Sequence, residues 1–320
     1  MAMTRRTATQ ALLLGIGAAS LTAVPVWTQK KRNIKVGHTG ITWPGGQIST
    51  GRGPGAPPAP PKINAEAIET IFKDVSSLGF SGLELFSWQI EGMEANGGLM
   101  PFIEKYKLPL VSSYTGMNLT DAARRQDVVG AAVATAKIVK KNGGKIIVVG
   151  PNGVPRANYV FADHKADIIA TLNDAAKAIV DVGLTPVLHQ HTGTCIESRE
   201  ETYAIMQAVD TRYLKFGPDI GQLQKGGSDP VQVIKDFLPL IHHMHLKDYV
   251  GGAAYLGYCP LGQGKVNIPA ILDMMDGKSI SGMIMVELDS SADMPTTPLE
   301  SATIARKYLD KEGVRLGDTY

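Results

Sequence analysis

Two cysteines in 320 residues are too few for a disulfide-built scaffold. Neither Cys195 nor Cys259 has a CxxC neighbour, which argues against a cysteine-ligated metal centre. In an oxidising compartment the two could still pair with one another. No long basic cluster is present and the net charge is only +2, so there is no concentrated set of lysines and arginines to neutralise a phosphate backbone and nucleic-acid binding is disfavoured. Long apolar runs are missing too, apart from Ala11 to Val26. That run follows the twin arginine Arg5-Arg6 and leads into small residues, the layout of a twin-arginine export signal spanning residues 1–30. No clean A-x-A site follows it, so cleavage and retention as an N-terminal anchor both stay open. With cleavage, no membrane span survives in the mature chain and the expected location is the periplasm. This export route carries folded proteins, which suits a metal site assembled before transport.

What is present is an ordinary apolar content of 44%, enough to bury one large core or two small ones. Eight short apolar runs alternate with helical patterns: Ile34 to His38, Gly82 to Phe86, Pro109 to Ser113, Lys145 to Val149, Pro186 to His189, Tyr213 to Pro218, Ile241 to Lys247 and Met283 to Leu288. This alternation over residues 31–320 predicts an α/β fold, a single-domain (β/α)8 TIM barrel, with a doubly wound open sheet as the main rival. Helix starts are signalled at Asn64, after Thr120, and at Ser228-Asp229-Pro230; helix stops at Gly79, Gly143 and Gly183. One connection, residues 43–62, is rich in Gly and Pro and would hang over the C-terminal mouth of a barrel, as a lid or as a plain surface excursion.

The segment Ile241 to Asp248, IHHMHLKD, puts His243, His245 and Lys247 on one face of a strand and Met244 and Leu246 on the other. A half-buried strand with satisfied histidines gives the same pattern, so the neighbouring strands decide. PVLHQHTGT places His189 and His191 on the inner face, and LKFGPDIG ends at Asp219. MIMVELD turns Ile284, Val286 and Leu288 outward and Glu287 inward. Groups from successive strand ends that obey one alternation form a metal or acid/base constellation more readily than a chance set of core polars. Two imidazoles and two carboxylates suit Mn²⁺, Co²⁺, Zn²⁺ or Fe²⁺ better than Ca²⁺, with manganese first. Glu84, Lys247, His191 and His38 are expected around the ion, Glu84 being equally readable as a structural partner for a cation.

The stretches HQHTGTCIES, PDIGQLQKGGSDPV, HHMHLKD, CPLGQGKVNIPAIL and MVELD resemble the C-terminal half of the inosose (2-keto-myo-inositol) dehydratases, within the xylose-isomerase-like sugar isomerase/epimerase barrels. IKVGHTGITW, GFSGLELF and LPLVSSYTGMNL extend the likeness over nearly the whole mature chain. The resemblance implies a divalent metal near the C-terminal mouth, held by His189, Asp219, His245 and Glu287, and a polyhydroxylated ketone or sugar as substrate. In the related ketose 3-epimerases the His189 position looks to be a glutamate that also moves protons. An imidazole there leaves an asymmetric site, which suits elimination better than epimerisation. Gln222 stands where the dehydratases tend to carry histidine, a change at a group that would touch substrate.

The expected reaction is metal-dependent β-elimination from a keto-sugar or keto-cyclitol, such as a 3-keto-sugar or 3-keto-glycoside in the periplasm. Glu287 or His191 would take the proton next to the carbonyl. Lys247, its charge tuned by the metal and Asp248, would stabilise the oxyanion or act as acid. The alternatives are a metal-dependent isomerase or epimerase working through an enediolate, and a non-catalytic sugar-binding barrel. An endonuclease-IV-like enzyme is disfavoured by export, by the low basic charge and by too few metal ligands. A small-molecule carbohydrate is the expected partner, and a homo-oligomer is left open.

Overall fold

Short apolar runs with period-two alternation become a ring of parallel strands: β1 (Val36–Thr39), β2 (Leu83–Phe86), β3 (Leu110–Asn118), β4 (Ile146–Asn152), β5 (Thr185–Leu188), β6 (Lys215–Phe216), β7 (Met244–Leu246) and β8 (Ile284–Val286). The computed structural model describes residues 31–43, 47–48, 62–291, 293–294 and 296–317. The expected export signal and most of the Gly/Pro-rich connection lie outside the described residues. The strand order is β6-β5-β4-β3-β2-β1-β8-β7, and the parallel bridges Phe216–Ile241 and Asp219–His245 bring the β6 segment beside β7. Because β1 sits between β2 and β8, the winding never reverses, and the doubly wound sheet is excluded.

Helices follow the strands: α1 (Ala65–Ser77), α2 (Ser87–Glu94), α3 (Met100–Tyr106), α4 (Arg125–Lys141), α5 (Phe161–Val182), α6 (Arg199–Met206), α7 (Ile220–Lys225), α8 (Pro230–Phe237), α9 (Ile268–Met275) and α10 (Pro298–Lys311). The Asn64 side chain accepts from the Glu66 and Ala67 N–H groups, and Asp229 caps α8 with Pro230 at its first position. Gly183 ends α5 at φ 96°, a left-handed conformation that only glycine adopts without strain. The expected start after Thr120 shifts: Asp121 caps a 3₁₀ turn over Ala122–Arg124, and α4 begins at Arg125.

Outward side chains such as Leu83, Leu85, Leu188, Phe216, Met244, Leu246, Ile284 and Val286 join the helices in one core. Burial stabilises each by about 1.5–3 kcal/mol relative to exposure. Inside the ring a separate small cluster, Ile146, Val148 and Val187 against Tyr114, forms the floor beneath the polar groups. Gly37 in β1 belongs to this interior, where a Cβ would stand 2.6 Å from the Gly82 carbonyl and 2.7 Å from Met285 Cε. Cys195 and Cys259 are free, buried thiols, so the pair that an oxidising compartment would permit is not formed. Burial pushes both up to about 12, which keeps them protonated and unreactive. Among the described residues no helix is long and apolar enough to cross a membrane.

Candidate active site

The alternation of IHHMHLKD is kept: Met244 and Leu246 pack under the helices, while His243, His245 and Lys247 turn into the barrel and are fully buried. A buried ammonium needs acceptors, and Lys247 finds three carboxylates. Its Nζ is 2.6 Å from Glu287 Oε1, 2.8 Å from Asp289 Oδ2 and 3.4 Å from Asp219 Oδ2. It also lies 4.7 Å from the Tyr258 ring centroid, a cation–π contact. Burial alone would lower its pKa; Asp289, Glu287 and Asp219 outweigh that and hold Lys247 well above the ordinary lysine value. Lys247 is therefore a permanent charge at neutral pH.

His245 stands between two carboxylates, with Nε2 2.9 Å from Glu84 Oε1 and Nδ1 2.7 Å from Glu287 Oε2. Burial opposes its protonation, but Glu84 and Glu287 together push its pKa well above the usual imidazole range. These are contacts at ion-pair range, with neither ring nitrogen aligned for a hydrogen bond. Glu287, which burial would raise, is held well below the usual carboxylate range by Lys247 and His245. Asp219 caps α7 through Oδ1, which accepts from the Gly221 and Gln222 N–H groups at 2.8 and 2.9 Å. Burial pushes its pKa up, with Lys247 only partly opposing.

His189 is buried, its ring centroid 4.6 Å from that of His245. Burial and then the His245 charge hold it far below the usual imidazole range, so it is neutral. Its Nδ1 lies 3.2 Å from the Gly217 carbonyl, which assigns the proton to Nδ1 and leaves Nε2 as an electron-pair donor. His191 follows the strand end and is half-buried. Its Nδ1 donates to the Thr192 carbonyl at 2.8 Å, and its Nε2 accepts from Gln222 Nε2 at 2.8 Å. Gln222 is oriented in turn because its Oε1 accepts from Thr192 Oγ1 at 2.6 Å.

Of the four expected ligands the structure brings donor atoms of His189, Asp219 and His245 together, while Glu287 falls outside that group with its oxygens on Lys247 and His245; His191 stands beside His189 with ring centroids 5.9 Å apart, and Glu84 lies behind His245. Two expectations are corrected. His38 shares the outward parity of Val36 and packs edge-on against Trp43 and Phe80, at 5.1 and 5.0 Å, so it faces the helices and reaches the site only through the charge of Glu287. Asp248 does not tune Lys247: its carboxylate accepts from the N–H groups of Tyr249, Gly262, Gly264 and Val266 and anchors that loop. Asp289 is the acidic partner instead. It lies two residues beyond Glu287, so the period-two rule carried one step past the strand would have found it. Ser112, which donates to Glu84 Oε2 at 2.6 Å, carried no such signal, since Ser113 beside it is indistinguishable by composition.

The family model of the xylose isomerase-like TIM barrels matches residues 72–311, a span that contains every residue of this cluster. The chain belongs to that family. An inosose dehydratase of Clostridium botulinum (strain Alaska E43 / Type E3) is 22% identical over 270 residues, 76% of this chain and 89% of that one. Among solved structures, the probable 3-DHS dehydratase AsbF of Bacillus anthracis, involved in petrobactin synthesis, superposes with a TM-score of 0.68 at 15% identity, over 87% of this chain and 99% of that one. The IOLI protein with a bound zinc atom gives a TM-score of 0.66 at 15% identity, over 87% and 98%. The structural likenesses carry the fold.

The donor set of this family member fits a divalent cation on its own geometry. Nitrogen and oxygen donors of His189, Asp219 and His245 lie within 4.8 Å of one another, all buried. Asp219 Oδ2 and both ring nitrogens of His245 are buried without an aligned hydrogen-bond partner among the described residues. Four carboxylates, Glu84, Asp219, Glu287 and Asp289, face two cations, Lys247 and His245, which leaves an excess of negative charge where those donors converge.

Proposed function

We propose that this protein is a divalent-metal-dependent lyase that dehydrates a keto-sugar or keto-cyclitol, with manganese as the first choice of ion and cobalt next. The observation that carries the reading is the asymmetry of the proton-handling groups. The rim presents Glu287 and the half-buried imidazole of His191. The remaining nearby glutamate, Glu84, is fully buried behind His245 and out of reach of a substrate. An epimerase that inverts a carbon needs matched groups on its two faces, whereas elimination needs one group that takes a proton and passes it to a leaving hydroxyl. The curated inosose dehydratase relative supports the same class.

A cation held by His189, Asp219, His245 and Glu287 would polarise a ketone oxygen as a Lewis acid. The chain's own residues supply the rest. His191 offers an unprotonated Nε2, oriented by the Thr192 carbonyl, once Gln222 gives way to substrate. That nitrogen takes the proton from the carbon next to the carbonyl and returns it to the β-hydroxyl. The C–H and C–O bonds break, a C=C bond conjugated to the ketone forms, and water departs. Lys247, charged throughout, offsets the negative charge that gathers on the oxygen. Action on oxidised carbohydrate in the periplasm, after export directed by residues 1–30, belongs to the same proposal.

Purified protein is incubated in D₂O with 2-keto and 3-keto sugars and cyclitols, with Mn²⁺, with chelator, and with Mn²⁺ added back. The expected result is water loss that chelator abolishes and Mn²⁺ restores, with His191→Ala lowering kcat by about 10²–10⁴-fold. Deuterium in a product of unchanged formula would replace the lyase by an isomerase. Binding without turnover would replace both by a sugar-binding barrel.

A further inference from the structure

We propose that Glu84 is a positioning residue that sets the tautomer and ring orientation of His245, so that Nδ1 and not Nε2 is offered to the cation; this rests on the metal-centre reading above. The argument starts from the backbone. The Met283 N–H donates to His243 Nδ1 at 3.2 Å, so that nitrogen carries no proton. The ring proton of His243 is therefore on Nε2, which donates to Glu84 Oε2 at 2.9 Å. Ser112 Oγ donates to the same oxygen at 2.6 Å. With Oε2 filled, Glu84 Oε1 is left to its one charged contact among the described residues, His245 Nε2 at 2.9 Å.

Both ring nitrogens face a carboxylate at ion-pair range, but Glu287, on the Nδ1 side, would turn to the cation as a ligand, which leaves Glu84 as the carboxylate that keeps the ring proton on Nε2. The electron pair then sits on Nδ1, the atom 2.7 Å from Glu287 Oε2 and so on the side of the other donors. Glu84, His243 and His245 also bring their donor atoms close enough together to hold an ion of their own. The hydrogen bonds speak against that use: His243 accepts at Nδ1 and donates at Nε2, so it keeps no electron pair for a metal. The three are fully buried at a place no substrate reaches, as a supporting shell requires.

The full chain, stripped of metal, is titrated with Mn²⁺ and Zn²⁺ by calorimetry and loaded with Co²⁺ for visible spectroscopy. The expected outcome is one ion per chain in the wild type. Glu84→Gln should bind one ion about 10–100-fold more weakly with altered Co²⁺ bands, and Ser112→Ala should weaken binding by less. In the zinc-loaded wild type, long-range ¹H–¹⁵N NMR should show the His245 proton on Nε2 and the metal on Nδ1, a readout independent of whether any variant folds. Ligation through His245 Nε2 overturns the proposal. So does unchanged affinity in Glu84→Gln, which leaves the metal centre standing. Two ions per chain falling to one in Glu84→Gln would make Glu84 a ligand. A wild-type chain that binds no cation overturns the metal centre and the positioning role together.

Discussion

Lys247→Met removes the ammonium shared by Asp219, Glu287 and Asp289 while keeping much of the side-chain volume. At an effective dielectric of about 20, charges 2.6 Å apart, the Lys247–Glu287 separation, attract by about 6 kcal/mol, most of which is offset by desolvation of the ammonium. Deleting the lysine alone leaves the buried carboxylates uncompensated, and such single deletions cost about 3–5 kcal/mol. The pH dependence follows from the shifts. Lys247 is raised, so its stabilisation is complete below the unfolded value of about 10.4 and is lost only as pH rises through the higher folded value. Glu287 is lowered, so its contribution is present above about 4.3 and is lost as pH falls through its folded value. In the variant only the part that His245 supplies remains, and the carboxylates repel until protonated. The gap between wild type and variant should therefore be widest near neutral pH and narrow towards pH 5. Urea unfolding of both proteins with chelator at pH 5, 7 and 9 measures it. A gap below about 1 kcal/mol at pH 7, or one that widens in acid, refutes the reasoning.

Asp248→Ala should lower stability by on the order of 3 kcal/mol, since the N–H groups of Tyr249, Gly262, Gly264 and Val266 lose their common acceptor; equilibrium unfolding checks this. Gly264→Ala should weaken the same anchor by about 1–3 kcal/mol, because a Cβ would stand 2.1 Å from Asp248 Oδ1, and the two losses should fall well short of additive in the double variant. Replacing Arg5→Lys and Arg6→Lys should hold the chain in the cytoplasm, and cell fractionation with an immunoblot reads the outcome.

The barrel was legible because parity and element length are local. Met244 and Leu246 against His245 and Lys247, or Val286 against Glu287, state which face is buried under helices before any partner is known. The same rule, carried to His38, points it outward, because Ile34 and Val36 share its parity and join the helix-side core; a histidine at a strand end suggests a site residue against that rule. Pairings were legible only in part. Glu84 and His243 are 159 positions apart, and nothing in either segment announces a hydrogen bond between them. Asp248 beside Lys247 invited a local partnership, but adjacent residues in extended backbone face opposite ways. The lysine's hydrogen-bond partners are Glu287 and Asp289, 40 and 42 positions away.

If the donors hold a cation as proposed, the surplus of buried carboxylate charge in the barrel mouth would tie the lifetime of the chain to metal supply. A ligand that binds only the folded state adds about 2.7 kcal/mol when present at a hundred times its dissociation constant. Chains that leave the ribosome under metal starvation would forgo that gain and open more often to proteases. Cellular abundance of the protein should then follow the intracellular pool of the ion, even where transcription is constant.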